Sequence, residues 1–143
     1  LNIGFLYQSP QSNNVQPYQN MTVQVNVTDY TSGPDMAILY YSIDGGLSWM
    51  EVSMEPIAIA SNVSSFEGLI RGMPPGTIVQ YKIVARNNAG IITTDDNVGR
   101  YYVYTVIPEF PNWQSIILPL LAISALTIVW KRRQGLSSRD LID

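Results

Sequence analysis

Few residues in this 143-residue chain have side chains suited to acid–base or metal chemistry, and their types narrow that chemistry sharply. There is no His and no Cys. That removes the commonest general base, the commonest transition-metal ligand and any disulfide framework. Paired carboxylates are what remain for catalysis. Asp95 and Asp96 are adjacent, and on an extended loop adjacent side chains point apart. With Asp29 or Asp35 they would gather oxygens between loops, but calcium needs six or more and no spacing here resembles a calcium loop. The expected state of these acids is solvated loop carboxylates. The sequence assigns no catalytic residue, no metal site and no cofactor, and the chain reads as a non-enzyme.

Aromatic rings offer a different chemistry. Tyr40, Tyr41, Trp49, Tyr101, Tyr102 and Tyr104 supply rings for stacking on sugars. Strand neighbours alternate faces, so at most about half of them point outward. Cross-strand packing is their main expected use. Glycan binding through exposed aromatics therefore stands as an alternative function, one that Trp49→Ala would abolish. Three N-x-S/T sites begin at Asn20, Asn26 and Asn62. Each falls on an outward strand face or in or beside a loop, where an N-linked glycan has room.

The elements that must position these residues are short strands. Ile3 to Gln8 is the first, closed by the polar loop Ser9 to Asn20. Met21 to Thr28 alternates, with Val23, Val25 and Val27 on one face and Thr22, Gln24, Asn26 and Thr28 on the other, as in a half-buried antiparallel strand. Met36 to Ile43 and Leu47 to Met54 flank the turn Asp44-Gly45-Gly46. The uncharged run Pro56 to Ala60 reads as a short strand switching sheets, or else as an exposed contact patch; the strand is preferred. Ser65 to Arg71 and the alternating Ile78 to Arg86 flank the turn Gly72 to Thr77. Ile91 to Thr94 and Arg100 to Val106 form a last strand, interrupted by the polar stretch around Asp95, Asp96 and Asn97. About seven short strands in residues 1–106 predict an all-β sandwich.

Three resemblances attach to particular residues. Met73-Pro74-Pro75-Gly76-Thr77, followed by Tyr81, Ala85, Asn87 and Gly90, resembles the second half of a fibronectin type III domain. The resemblance implies a fibronectin type III or immunoglobulin-like sandwich, with Tyr81 as a corner tyrosine bonded to nearby backbone. Ser42-Ile43-Asp44-Gly45-Gly46-Leu47-Ser48-Trp49 is similar to the Asp-box hairpin of sialidase-type propellers. That likeness implies a structural turn built on Ser42, Asp44, Gly46 and Trp49, with Asp44 capping turn amides and Trp49 packed beneath. Pro108-Glu109-Phe110, then an apolar run, then Lys131-Arg132-Arg133, is similar to the C-terminal anchors of archaeal surface proteins.

Residues 113–130 contain no charged side chain, and Trp113 and Trp130 bracket them. The pattern predicts a transmembrane helix of about 27 Å, with Pro119 near its outer end and Lys131, Arg132 and Arg133 at its cytoplasmic end. Residues 107–112 would be a Pro-rich spacer and 131–143 a cytoplasmic tail. Residues 1–112 carry four basic against nine acidic side chains, so the large domain is expected outside the cell and is unsuited to nucleic acid. The chain starts at Leu1, which implies a cleaved signal or a longer parent. The expected role is a membrane-anchored cell-surface sandwich with structural, adhesive or protein-interaction duties. The alternatives are an accessory single-span subunit of a membrane complex and a glycan-binding module. The expected partners are the lipid bilayer, other protein subunits or copies of itself, and N-linked glycans.

Overall fold

The computed structural model describes residues 1–109 and 113–137; the side chains of residues 5, 6, 113–118 and 134–137 lie outside that description. The chain divides into two compact units, Leu1–Glu109 and a second that begins at Phe110.

The first unit is built from antiparallel strands in two sheets. The first sheet runs in the order β1 (Asn2–Ser9), β2 (Met21–Thr28), β6 (Val63–Ile70) and β5 (Glu55–Ile59). The second runs β4 (Met50–Ser53), β3 (Pro34–Ser42), β7 (Ile78–Asn87), with β8 (Ile92–Asp95) and β9 (Tyr102–Thr105) sharing the far edge of β7. The order is compatible with an immunoglobulin-like or fibronectin type III-like sandwich.

Alternation dictates the core. On β2, Met21, Val23, Val25 and Val27 are fully buried while the intervening polar residues stand at the surface. On β7 the same period buries Val79, Tyr81, Ile83 and Ala85 and turns Gln80, Lys82 and Val84 outward. Leu39, Phe66, Ile70 and Tyr104 fill the space between the layers. The polar loop after β1 also contributes. Val15 is fully buried and makes a parallel bridge to Val106, so the loop seals one end of the sandwich. Where that loop passes the turn after β6, the backbone comes so close that a Cβ on Gly72 would lie 2.1 Å from the Tyr18 carbonyl. Only glycine fits there.

The last strand is divided as its sequence implies. β8 pairs Ile83–Arg86 and β9 pairs Ile78–Tyr81 along one edge of β7, and residues 96–101 bulge out between them. The run around Pro56 is both a strand and exposed. β5 pairs with β6 at the edge of the first sheet, and every one of its residues is exposed.

The second unit corrects the expected membrane span. α1 (Trp113–Ser137) is helical and contains Pro119, Trp130, Lys131, Arg132 and Arg133. Yet no helix among the described residues is long and apolar enough to cross a membrane. The charge-free part of α1, residues 113–130, is eighteen residues long and ends at Lys131. That is about 27 Å of helix, short of a hydrocarbon layer of about 30 Å. The side chain of Trp113, part of the expected spacer (residues 110–112) and the end of the expected tail (residues 138–143) fall outside the described residues.

Candidate functional site

The pleat splits the six aromatic residues of interest into two groups. Tyr41 pairs with Tyr81, and Tyr81 pairs with Tyr102, all on the inward face of the second sheet. Tyr81 is fully buried, with its ring stacked 5.2 Å from Tyr102 and tilted against Tyr104 at 6.4 Å. One register position away, Tyr40 pairs with Lys82 and with Glu51, which puts all three on the outward face. The loop residue Tyr101 and the hairpin residue Trp49 join them, their ring centroids 4.9 Å apart at 59°.

Lys82 is the centre of the outer group. Its Nζ lies 4.5 Å from the Trp49 ring centroid and 5.9 Å from those of Tyr40 and Tyr101. Partial burial among rings strengthens such cation–π contacts relative to fully exposed ones. Tyr40 donates its hydroxyl to Glu51 at 3.2 Å. Burial, then the Glu51 carboxylate, raises the Tyr40 hydroxyl above the usual tyrosine range. The patch thus combines π faces with an ammonium donor, a carboxylate acceptor and tyrosine hydroxyls. It suits an apolar ring face edged with hydroxyls, which is the surface a pyranose presents.

The hairpin between β3 and β4 holds Trp49 in place. Ser42 is fully buried and donates to Asp44 Oδ1 at 2.7 Å, while its Oγ accepts from Gly46 N at 2.9 Å. Asp44 accepts from the Ser48 amide at 2.9 Å and from the Ser48 hydroxyl. Those bonds, the Ser48 hydroxyl foremost, lower the Asp44 carboxyl to about 2. Gly45 and Gly46 have φ of 74° and 89°, a conformation that favours glycine. Gln80 Oε1 is the one buried side-chain atom without a hydrogen-bond partner among the described residues, and it lies beneath Gly46.

Other predicted residues go elsewhere. Tyr81 bonds to the Gln8 side chain on β1 instead of nearby backbone. Asn20 is exposed, and its Oδ1 accepts from Gly72 N at 2.9 Å. Asn26 is half-buried on the outer face of β2 and accepts from the Ser65 hydroxyl. Asn62 is exposed.

The carboxylates do not converge. Asp35 pairs with Arg86 at 2.7 Å on the surface. Asp95 accepts from the Tyr102 hydroxyl at 2.9 Å, and Asp96 from Gly99 N at 2.9 Å. Burial, then Asp95, pushes the Tyr102 hydroxyl up to about 12. Asp29 differs from the expected solvated acid. It is 3% exposed and accepts from the Asn87 amide and from the backbone of Thr31 and Ser32. The Asn87 amide, above all, holds its carboxyl near 2. The role of Asp29 is to pin the β2–β3 loop to the end of β7. Asp29-x-Thr-Ser carried a local signal for the turn, but its burial depends on Asn87, far away in sequence.

No protein-family model matches the chain, and no curated protein resembles it in sequence. Solved structures do. The carbohydrate binding module of the muscle glycogen-targeting subunit of Protein Phosphatase-1 superposes with a TM-score of 0.54 at 12% identity, covering 76% of this chain and 78% of that one. The cycloalternan-forming enzyme from Listeria monocytogenes, solved with a pentasaccharide substrate, superposes with a TM-score of 0.55 at 11% identity over 69% of this chain. The chain spans only 9% of that enzyme's length. At such identities the likeness shows a shared β-sandwich fold.

Proposed function

We propose that the first unit is a non-catalytic glycan-binding module. The Trp49–Tyr101–Tyr40 patch around Lys82 carries this reading, since it is an aromatic surface on a sheet face, outside the core that the other tyrosines complete. The kinship of fold to a carbohydrate binding module supports it and suggests neutral α-glucans such as glycogen as the first ligands to try. In this reading Trp49 and Tyr101 stack on sugar rings, while Lys82 and Glu51 bond to ring hydroxyls. The acidic balance of residues 1–112 favours neutral over anionic polysaccharide.

Native electrophoresis of the full chain in gels containing glycogen tests the proposal. The expected result is retardation of the wild type and none for Trp49→Ala. Wild-type mobility unchanged by glycogen and by other neutral polysaccharides would refute it.

A protein-interaction role has one observation in its favour. The edge strand β5 leaves Ile57 and Ile59 exposed at 50% and 78%, beside unpaired backbone groups on which another strand can dock.

A further inference from the structure

Between the edge of the first sheet and β9 lies an open groove of about 410 Å³, lined by Tyr7, Gln8, Gln11, Ser12, Asn97, Tyr102 and Val103. Its volume falls within the range of about 300–1,000 Å³ common to small-molecule sites. We propose that this groove is a second subsite for neutral oligosaccharide. The proposal rests on the glycan-binding reading and adds a place that the outer aromatic patch does not include.

The lining argues for the ligand class. Among the described residues no charged side chain lines the groove, so an ionic ligand would have no countercharge there. Three carboxamides, Gln8, Gln11 and Asn97, line it instead. Each carboxamide offers both a donor and an acceptor, which matches hydroxyl groups that also do both. Gln8 is occupied by Tyr81 and the Pro10 carbonyl. Among the described residues, the side-chain oxygens of Gln11 and Asn97 accept no bond, while their side-chain nitrogens donate to the Gln8 and Tyr101 carbonyls. Tyr7 and Val103, at 47% and 45% exposure, add apolar surface for a ring face.

The loop between β8 and β9 ties the two places together. Asn97, Val98 and Tyr101 have φ of 54°, 59° and 60°. The left-handed region is unfavourable for a β-branched residue such as Val98. Bonds within the loop hold this shape, notably Tyr101 N to the Asp96 carbonyl at 2.7 Å and Asn97 Nδ2 to the Tyr101 carbonyl at 3.2 Å. The same loop therefore delivers Asn97 to the groove and Tyr101 to the Trp49 patch. A strained loop that serves two ligand contacts has a reason for its strain.

The test is amide-resolved NMR and calorimetry of the full chain with maltoheptaose. Three variants accompany the wild type: Trp49→Ala, the double variant Gln11→Ala with Asn97→Gly, and both sets combined. Glycine at position 97 suits the left-handed backbone but also removes the bond to the Tyr101 carbonyl, so Gln11→Ala alone is measured as well. The expected result is that maltoheptaose shifts the amides of residues 7–9, 11, 12 and 97–103, and that these shifts persist in Trp49→Ala. The double variant should bind roughly tenfold more weakly, with a melting temperature lowered by no more than a few degrees. If it binds like the wild type while Trp49→Ala does not bind, the groove proposal is overturned and the glycan reading stands. If the wild type does not bind at all, both fall. Groove shifts on adding an extended peptide, with none on adding maltoheptaose, would overturn the proposal in favour of a peptide site.

Discussion

Two aromatic clusters lie back to back on one sheet, a single register step apart, and they have opposite uses. The inner cluster, Tyr81, Tyr102 and Tyr104, is packed ring on ring in the core. The outer cluster, Tyr40, Trp49 and Tyr101, surrounds an ammonium group and is half-buried at the surface. The residue types are nearly the same. What differs for Tyr40 is the parity of its position on the strand, while Trp49 and Tyr101 reach the outer face from the β3–β4 hairpin and the loop between β8 and β9. An aromatic residue on such a sheet is therefore core or contact surface according to register, and the strand that carries Lys82 decides where the surface patch forms.

That contrast breaks most readily from the inside. Tyr81→Ala should cost about 3–5 kcal/mol, because it empties a fully buried site and removes the stack on Tyr102. Chemical denaturation would measure it, and a cost near zero would mean that the inner cluster is not core.

Acid should then weaken the fold at the loops that frame both clusters. Asp29 and Asp44 have carboxyls held near 2 in the folded chain, against about 3.9 when unfolded. Because their folded values are depressed, their contribution is complete above about pH 4 and is lost as the pH falls toward about 2. Melting temperatures should be level from pH 7 to 5 and fall below pH 4, with a shallower fall in Asp29→Asn. A pH profile in that variant identical to the wild type would remove Asp29 as a source.

The smallest effect belongs to the outer cluster. Lys82→Met should change stability by only about 0.5–1 kcal/mol, the scale of a partly exposed cation–π contact. A loss of several kcal/mol would show that the outer patch is structural and not free for a ligand.

Much of the first unit was legible in the sequence, and the reasons are local. Strict alternation in Met21–Thr28 and Ile78–Arg86 marked which side chains are inward. Asp44-Gly45-Gly46 marked a turn, because positive φ at two successive residues favours glycine. The Asp95–Asn97 stretch marked the break between β8 and β9.

What was hidden depends on partners distant in sequence. Tyr81 bonds to Gln8, 73 residues away, and Asp29 to Asn87, 58 residues away, so neither partner follows from a local motif. Lys82 was legible as an outward residue, but its place among three rings needed the register of β3 on β7 and the position of the 96–101 loop. The groove needed the packing of β1 near β9. The membrane span was misread because an apolar run reports composition, whereas crossing a bilayer demands about 30 Å of apolar helix and the charge-free part of α1 supplies about 27 Å.

The central claim is that the outer cluster, and not the inner one, meets a ligand. The most direct measurement is the dissociation constant for glycogen of the full chain with and without Trp49→Ala, with melting temperature followed in parallel. The account predicts roughly tenfold or greater weakening with a melting temperature lowered by no more than about 8 °C, the scale of the lost cation–π contact. Equal affinity in the two proteins would contradict it.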